Sequence, residues 1–168
     1  MVSPDQFRQI ASHWLSGVAV VTSVAADGKP VGMTMSAVMS LSLDPPQFLA
    51  CIDNRAKTLA AISSSRSFCI NYLREDQEQI AVAFARSGDN KFAAFSHHTG
   101  LHGAPVLDGT VAFVECTLEA IHPGGDHAIV VGNAVHGGTH GGDPLGYHRG
   151  NYQRLPKNTL VGNADQMW

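Results

Sequence analysis

Four hydroxyl side chains, Thr34, Ser36, Ser40 and Ser42, occupy even positions of one alternating stretch running from Val31 to Pro46. Met33, Met35, Ala37, Met39, Leu41 and Leu43 occupy the odd ones. A repeat of two is a strand signature, because successive side chains of an extended chain point to opposite faces. One face is then expected on a core, while the other presents small donors and acceptors interrupted by Val38. At about 3.3 Å per residue, Thr34 to Ser40 covers roughly 20 Å, the reach of a mononucleotide from ring to phosphate. Alternation of this kind also describes a half-exposed strand whose hydroxyls face water.

Three further groups could do chemistry. Asn54, Arg55, Lys57 and Thr58 stand at the start of a short helix expected from Lys57 to about Ser64. Cations there oppose the helix dipole, so an anion such as a phosphate would relieve the mismatch and gain charge-assisted bonds. Lys91 and Phe92 pair a cation with an aromatic ring inside a glycine-rich segment of more than twenty residues, Ser87 to Gly109, expected to be irregular. Loops of that length in compact domains are usually functional, although surface decoration explains such a pair equally well. His127 follows a turn expected at His122 to Asp126, at the mouth of a hairpin between two apolar runs.

Other chemistries find less support. Nine histidines include His136 and His140, four apart, with His148 nearby. The intervening GGTHGG stretch is a poor helix former, however, and no Cys or Glu stands at ligand spacing, so no metal site is expected. There is no G-x-S-x-G elbow, no G-x-G-x-x-G after a strand and no Walker loop. Cys51, Cys69 and Cys116 sit inside apolar runs, where a thiol behaves as a small hydrophobe.

The elements that must position these groups are mostly strands. The 168 residues fit a single domain with a sizeable core. Seventeen glycines against 15% charged residues suggest many tight turns between strands. A net charge of -3, with no basic cluster, argues against nucleic acid as a partner. No basic start precedes an apolar run, and no uncharged stretch is long enough for a membrane, so a cytoplasmic protein is expected.

Ser3, Pro4 and Gln6 form a capping box for a first helix expected to reach about Ser16, with Phe7, Ile10, Ala11, Trp14 and Leu15 as its buried stripe and Gly17 just past its end. Asp27-Gly28 marks a hairpin between VAVVTSV and the opening strand. A second amphipathic helix is expected across EDQEQIAVAFARS, with Ile80, Ala81, Phe84 and Ala85 facing the core. Short turns between β-branched runs fit an antiparallel sheet curling into a barrel. A domain at 1–155 and a tail at 156–168, ending in Trp168, complete the expected organisation.

The stretches GVAVVTS, GKPVGMTMSAVMSLSLDPPQFLACID, NYL, KF, GAPVLDG, ECTL, GDHAIVVGNAV and PLGYHRGNY together resemble the flavin reductase family, whose members supply reduced flavin to partner monooxygenases. The resemblance runs from Phe7 to Tyr152. It implies a mainly β, single-domain, FMN-binding split barrel with short helices that forms a homodimer, binds FAD or FMN and takes hydride from NADH or NADPH. Carried over by position, Thr34, Met35 and Ser36 meet the flavin ring, and Ser40 and Ser42 its ribityl-phosphate side. Asp53, Asn54, Lys57 and Thr58 gather around the phosphate, while Lys91 and Phe92 close over the flavin. His127 takes the catalytic position against the nicotinamide, with Arg149 and Tyr152 binding the same nucleotide. Where the family often has Thr-Ala-Asn-Ser-Phe, this chain has Thr34-Met35-Ser36-Ala37-Val38, losing an amide and a hydroxyl near the ring. Two other readings stay open: a flavoprotein that keeps its flavin and acts directly on a small substrate, and a non-catalytic split barrel that binds flavin or haem.

Overall fold

The computed structural model describes residues 1–88 and 90–156. The expected tail, with Trp168, lies outside the described residues beyond Pro156. Helix α1 (Pro4–Ala11) opens with the expected capping box: Gln6 N donates to Ser3 Oγ at 3.2 Å and Ser3 N to Gln6 Oε1 at 3.0 Å. It ends earlier than Ser16, and none of its residues is buried. Phe7, Ile10, Trp14 and Leu15 are all exposed, contrary to the expectation of a core stripe. The chain leaves the helix to form β1 (Ser16–Gly17), so Gly17 pairs with Gly146 rather than ending a helix.

β2 (Ala19–Val24) and β3 (Pro30–Met35) form the expected hairpin, with Val24 opposite Pro30. The long strand anticipated from Val31 to Pro46 is two strands, because the chain turns a corner at Ser36-Ala37 before β4 (Val38–Leu43). β4 pairs with β5 (Pro46–Asp53), and Cys51 N donates to Ala37 O at 2.9 Å. The two-residue corner shifts the repeat, so inward positions change from odd in β3 to even in β4. Met35 is buried, yet Met39, Leu41 and Leu43 are exposed while Ser40 and Ser42 are half-buried, the reverse of the expected faces.

Helix α2 (Lys57–Ser65) matches expectation and leads through Arg66, at φ 62°, into β6 (Ser67–Tyr72). Helix α3 (Glu78–Ala85) starts late because a turn from Arg74 to Gln77 precedes it; Ala81 and Phe84 are buried, but Ala85 is exposed. The segment expected to be irregular has structure of its own: a 3-10 turn at Lys91–Ala94 and a small hairpin of β7 (His97–Thr99) and β8 (Pro105–Leu107). β9 (Ala112–Gly124) and β10 (His127–Thr139) are joined only by Gly125-Asp126, so His122 to Gly124 belong to the strand and not to the turn. β11 (Leu145–His148) and β12 (Asn151–Arg154) form a hairpin that pairs with β1.

The main sheet runs β3-β2-β6-β9-β10-β5-β4, all neighbours antiparallel. β2 packs on both faces. Ala19 and Val21 join Ile52, Ile62, Phe68, Ile70 and Val130 inside the sheet's curve, whereas Val18 and Val20 join Leu73, Phe84, Leu107 and Leu145 behind it. Burial on two sides explains why β2 reads as a continuous apolar run. Cys69 and Cys116 lie in this core, and burial with the nearby Glu115 charge pushes the Cys116 thiol up to about 12 and that of Cys69 upward too. Such thiols are inert fillers.

Glu115 is a buried charge held by good geometry. It accepts from Leu101 N at 3.1 Å and His102 N at 2.9 Å, and from His136 Nδ1 at 3.0 Å. Burial pushes its carboxyl up, but the two backbone bonds and His136 outweigh burial and leave it below its ordinary value. Its contribution is therefore complete above the unfolded carboxyl's range and is lost as pH falls through the lower folded value. Glu115→Gln is expected to cost about 1–3 kcal/mol at pH 7, with the gap narrowing in acid. Urea unfolding at pH 7 and pH 4 reads both; an equal gap at the two values would show that the carboxylate charge is not the cause.

Candidate active site

A groove of about 900 Å³ opens between the β2–β3 hairpin, the start of α2 and the segment from the end of α3 to Phe92. Val31, Gly32 and Met33 of β3 line it, so the floor is an extended backbone with little side-chain relief at its centre. A Cβ on Gly32 would lie 3.1 Å from the Phe84 ring, which is why that ring can come so close to the strand. Phe84 meets Phe92 edge to face at 4.9 Å, and both rings border the groove. Lys91 Nζ donates to Phe84 O at 3.2 Å and to Gly32 O at 3.4 Å, tying the far wall to the floor.

The described residues of the groove carry more positive than negative charge. Among the described residues, Lys29, Arg55, Lys57, Arg86 and Lys91 line it together with Asp27, which pairs with Lys29 at 2.9 Å. The Lys29 ammonium and backbone hold the Asp27 carboxyl below its ordinary value, so it stays ionised. α2 follows Ala56, an N-cap with no side-chain cap bond, and has no acid in its first turn. An uncapped helix start among cations can hold an anionic group. The groove's aromatic and apolar remainder suits a planar ring.

The chain from residue 11 to residue 156 matches the model of the flavin reductase like domain. The protein belongs to the flavin reductase-like family. It is 42% identical over 147 residues to the reductase component of a 4-nitrophenol 4-monooxygenase/4-nitrocatechol 2-monooxygenase from Rhodococcus opacus, covering 88% of this chain and 78% of that one. A probable flavin reductase of Rhizobium meliloti is 36% identical over 149 residues; the match spans 89% of this chain but only 48% of that protein's length. Among solved structures, an NADH:FAD oxidoreductase from Streptomyces globisporus, in complex with NAD and FAD fragments, superposes with a TM-score of 0.89 at 28% identity, covering 95% of this chain and 99% of that one. The fold is the split β-barrel of these flavin reductases.

Within this flavin reductase-like chain, the groove gathers Lys57, Thr58, Lys91 and Phe92. Thr58 is buried, so its side chain packs beneath the helix start. Asp53, Asn54 and His127 meet at an adjoining corner. Arg55 clamps Asp53 through Nε at 3.0 Å and Nη2 at 2.7 Å, and these bonds, with one from its own backbone N–H, hold the Asp53 carboxyl well below the usual range. Asp53 lies opposite His127 in the sheet register. Asn54 spends its amide on Gly125 O at 3.1 Å and its backbone N–H on Asp126 O at 3.1 Å, stitching β5 to the β9–β10 turn. Arg55 is therefore shared between this corner and the groove wall.

The remaining candidates fall elsewhere. Thr34 Oγ1 donates to Ala81 O at 2.7 Å, holding α3 against β3. Met35 packs in the core, Ser36 is exposed at the corner, and Ser40 and Ser42 lie on β4 at the opposite edge of the sheet from β3. Arg149 sits in the left-handed turn of the β11–β12 hairpin, and Tyr152 packs against Tyr147 at 5.6 Å. Neither lines the groove. Lys29, Arg86, Gly32 and Phe84 line it without having been candidates; the turn lysine and the late helical arginine were the available signals, and both read equally well as ordinary surface charges.

The Thr34 contact makes a specific prediction. Thr34→Val is expected to lower the unfolding free energy by about 1 kcal/mol in urea denaturation. An unchanged midpoint would mean that the hydroxyl is not engaged by α3.

Proposed function

We propose that this protein is an NAD(P)H:flavin oxidoreductase that passes a hydride from NADH or NADPH to FAD or FMN and supplies reduced flavin to a partner monooxygenase. The observation that carries the reading is the groove: cations and an uncapped helix start beside apolar and aromatic walls, in a chain of the flavin reductase-like family. Its volume suits a nucleotide-sized ligand, since such pockets run from about 300 to 1,000 Å³. The Streptomyces relative, solved with NAD and FAD fragments, favours that pair of nucleotides. The Rhodococcus relative, a monooxygenase reductase component, supports the partner class.

When bound, the nicotinamide and flavin rings supply the hydride donor and acceptor; the protein supplies orientation and electrostatics. Lys57 and the α2 start hold the phosphate end, with Lys91 across the groove. The flat backbone at Gly32 and the Phe92 edge leave room for ring stacking, which hydride transfer needs at about 3–3.5 Å between reacting atoms. His127 is oriented by Asp126, whose Oδ1 lies 2.7 Å from Nδ1. Asp126 is held below its usual range chiefly by this bond, so it is the acceptor and Nδ1 carries the proton. With Nδ1 engaged by Asp126, Nε2 is the ring nitrogen left for the nicotinamide nucleotide. Asn54 fixes the turn that carries this pair.

The same proposal includes a homodimer. Met39, Leu41 and Leu43 form an exposed apolar row along β4, an edge strand, and such edges invite pairing or coverage by another chain. Ser36, Ser40, Ser42, Arg149 and Tyr152 are assigned to nucleotide contacts made in that assembly. The three free cysteines suit the reducing cytoplasm, where we place the protein. Among the described residues no helix is long and apolar enough to cross a membrane.

Loss of absorbance at 340 nm on mixing the protein with NADH or NADPH, with and without FAD or FMN, is the direct test. Oxidation dependent on added flavin is expected; steady oxidation without it would favour a retained flavin, and none would favour a binding protein. His127→Ala is expected to raise the dinucleotide KM about tenfold with the flavin KM within about twofold. An unchanged dinucleotide KM would remove His127 from that role. Sedimentation should give a dimer that Leu43→Glu shifts toward monomer; a wild-type monomer would overturn the assembly.

A further inference from the structure

One stretch of the sequence, GAPVLDG at Gly103 to Gly109, contributes nothing to the groove lining, yet the outer wall of the groove is tied to it at both ends. That wall is supplied by Phe84, Arg86, Lys91 and Phe92. At its first end stands α3, whose N-cap is Gln77, only 9% exposed. Gln77 Nε2 donates to Asp108 O at 3.0 Å, and its Oε1 accepts from Arg74 N at 3.0 Å. At the other end, just past the 3-10 turn, Ser96 Oγ donates to Asp108 Oδ2 and Asp108 N donates to Ser96 O at 3.1 Å. His98 Nδ1 lies 3.0 Å from Asp108 Oδ1. The Ser96 hydroxyl and His98 hold the Asp108 carboxyl below its ordinary value, so it stays an acceptor.

Between these ties the wall is wedged. Phe92, 8% exposed, packs between Phe84 at 4.9 Å and His97 at 5.0 Å. The Gly that follows Asp108 has its own part: Gly109 is in the left-handed region at φ 74°, and a Cβ there would come within 3.3 Å of Gln77 Nε2. The backbone can turn Asp108 O toward Gln77 only with a residue of this kind.

We propose that Asp108 and Gly109 are positioning residues for the flavin groove, a fixed post from which Gln77 on one side and Ser96 on the other hang the wall carrying Phe84, Lys91 and Phe92. The proposal rests on the reading of the groove as the flavin site. Loosening the post lets the wall move away from the bound ring without touching the corner that holds His127, so flavin affinity falls while dinucleotide use is kept.

The test is steady-state NADH oxidation at varied FAD or FMN for wild type, Asp108→Ala, Gln77→Ala, Ser96→Ala and Ser96→Thr, with thermal unfolding of each. Asp108→Ala, Gln77→Ala and Ser96→Ala are expected to raise the flavin KM about fivefold, with kcat at saturating flavin and the NADH KM within about twofold. Ser96→Thr, which keeps the hydroxyl, should stay within about twofold of wild type in every constant. A lowered melting temperature with unchanged flavin KM would overturn the positioning role, as would an equal loss in Ser96→Thr and Ser96→Ala. Should Asp108→Ala fail to fold, the Ser96 pair alone decides. A wild type that oxidises no NADH with either flavin overturns the reductase reading itself; an active wild type with unaltered variants overturns only the post.

Discussion

The structure depends on a single crossing. At Ser36-Ala37 the chain passes from β3 at one edge of the seven-stranded sheet to β4 at the other, and Cys51 N–H to Ala37 O secures the landing. Two edges joined by two residues must lie close together, so the sheet has to curl on itself, and its interior fills with Ile52, Phe68, Ile70 and Val130 from the middle strands. Curling also decides which surfaces remain. α2 closes on the inner cluster through Ile62, α3 packs behind β2 through Ala81 and Phe84, and the space left between their ends over β3 is the groove.

The site is assembled on this frame with little strain on side-chain chemistry. Its cations come from a hairpin turn, a helix start and a connecting segment, elements whose charges cost nothing to expose. The buried charge among the described residues, Glu115, lies elsewhere and is met by two backbone N–H groups and a histidine. Among the described residues, the carboxylates near the candidate site have partners of their own, Asp27 with Lys29, Asp53 with Arg55 and Asp126 with His127. The proposed function, binding two anionic nucleotides and leaving hydride chemistry to them, needs this arrangement more than it needs a strong acid or nucleophile.

Much of the local structure was legible in the residues. The capping box at Ser3, the Asp27-Gly28 hairpin, α2 from Lys57 and the paired strands flanking Gly125-Asp126 all rest on interactions between near neighbours, which a short window of sequence contains. The apolar stripe of α1 was equally legible as a pattern but not in its consequence. Phe7, Ile10 and Trp14 are periodic whether or not a core lies opposite, and among the described residues none does. The β4 face was misjudged for a related reason: alternation tells which residues share a side, while a two-residue corner exchanges the sides without interrupting the pattern.

The sequence by itself determined a β-rich fold curling into a barrel and, through the stretches that resemble flavin reductases, the membership of its family, because motif and periodicity are properties of consecutive residues. Only the tertiary structure decided that Lys29 and Arg86 share a groove with Lys57 and Lys91, that Thr34 braces α3, and that Asp108 ties both ends of the groove wall. Those relations join residues tens of positions apart. Their cause is the closure of the sheet, which brings distant segments together through packing that no local pattern encodes.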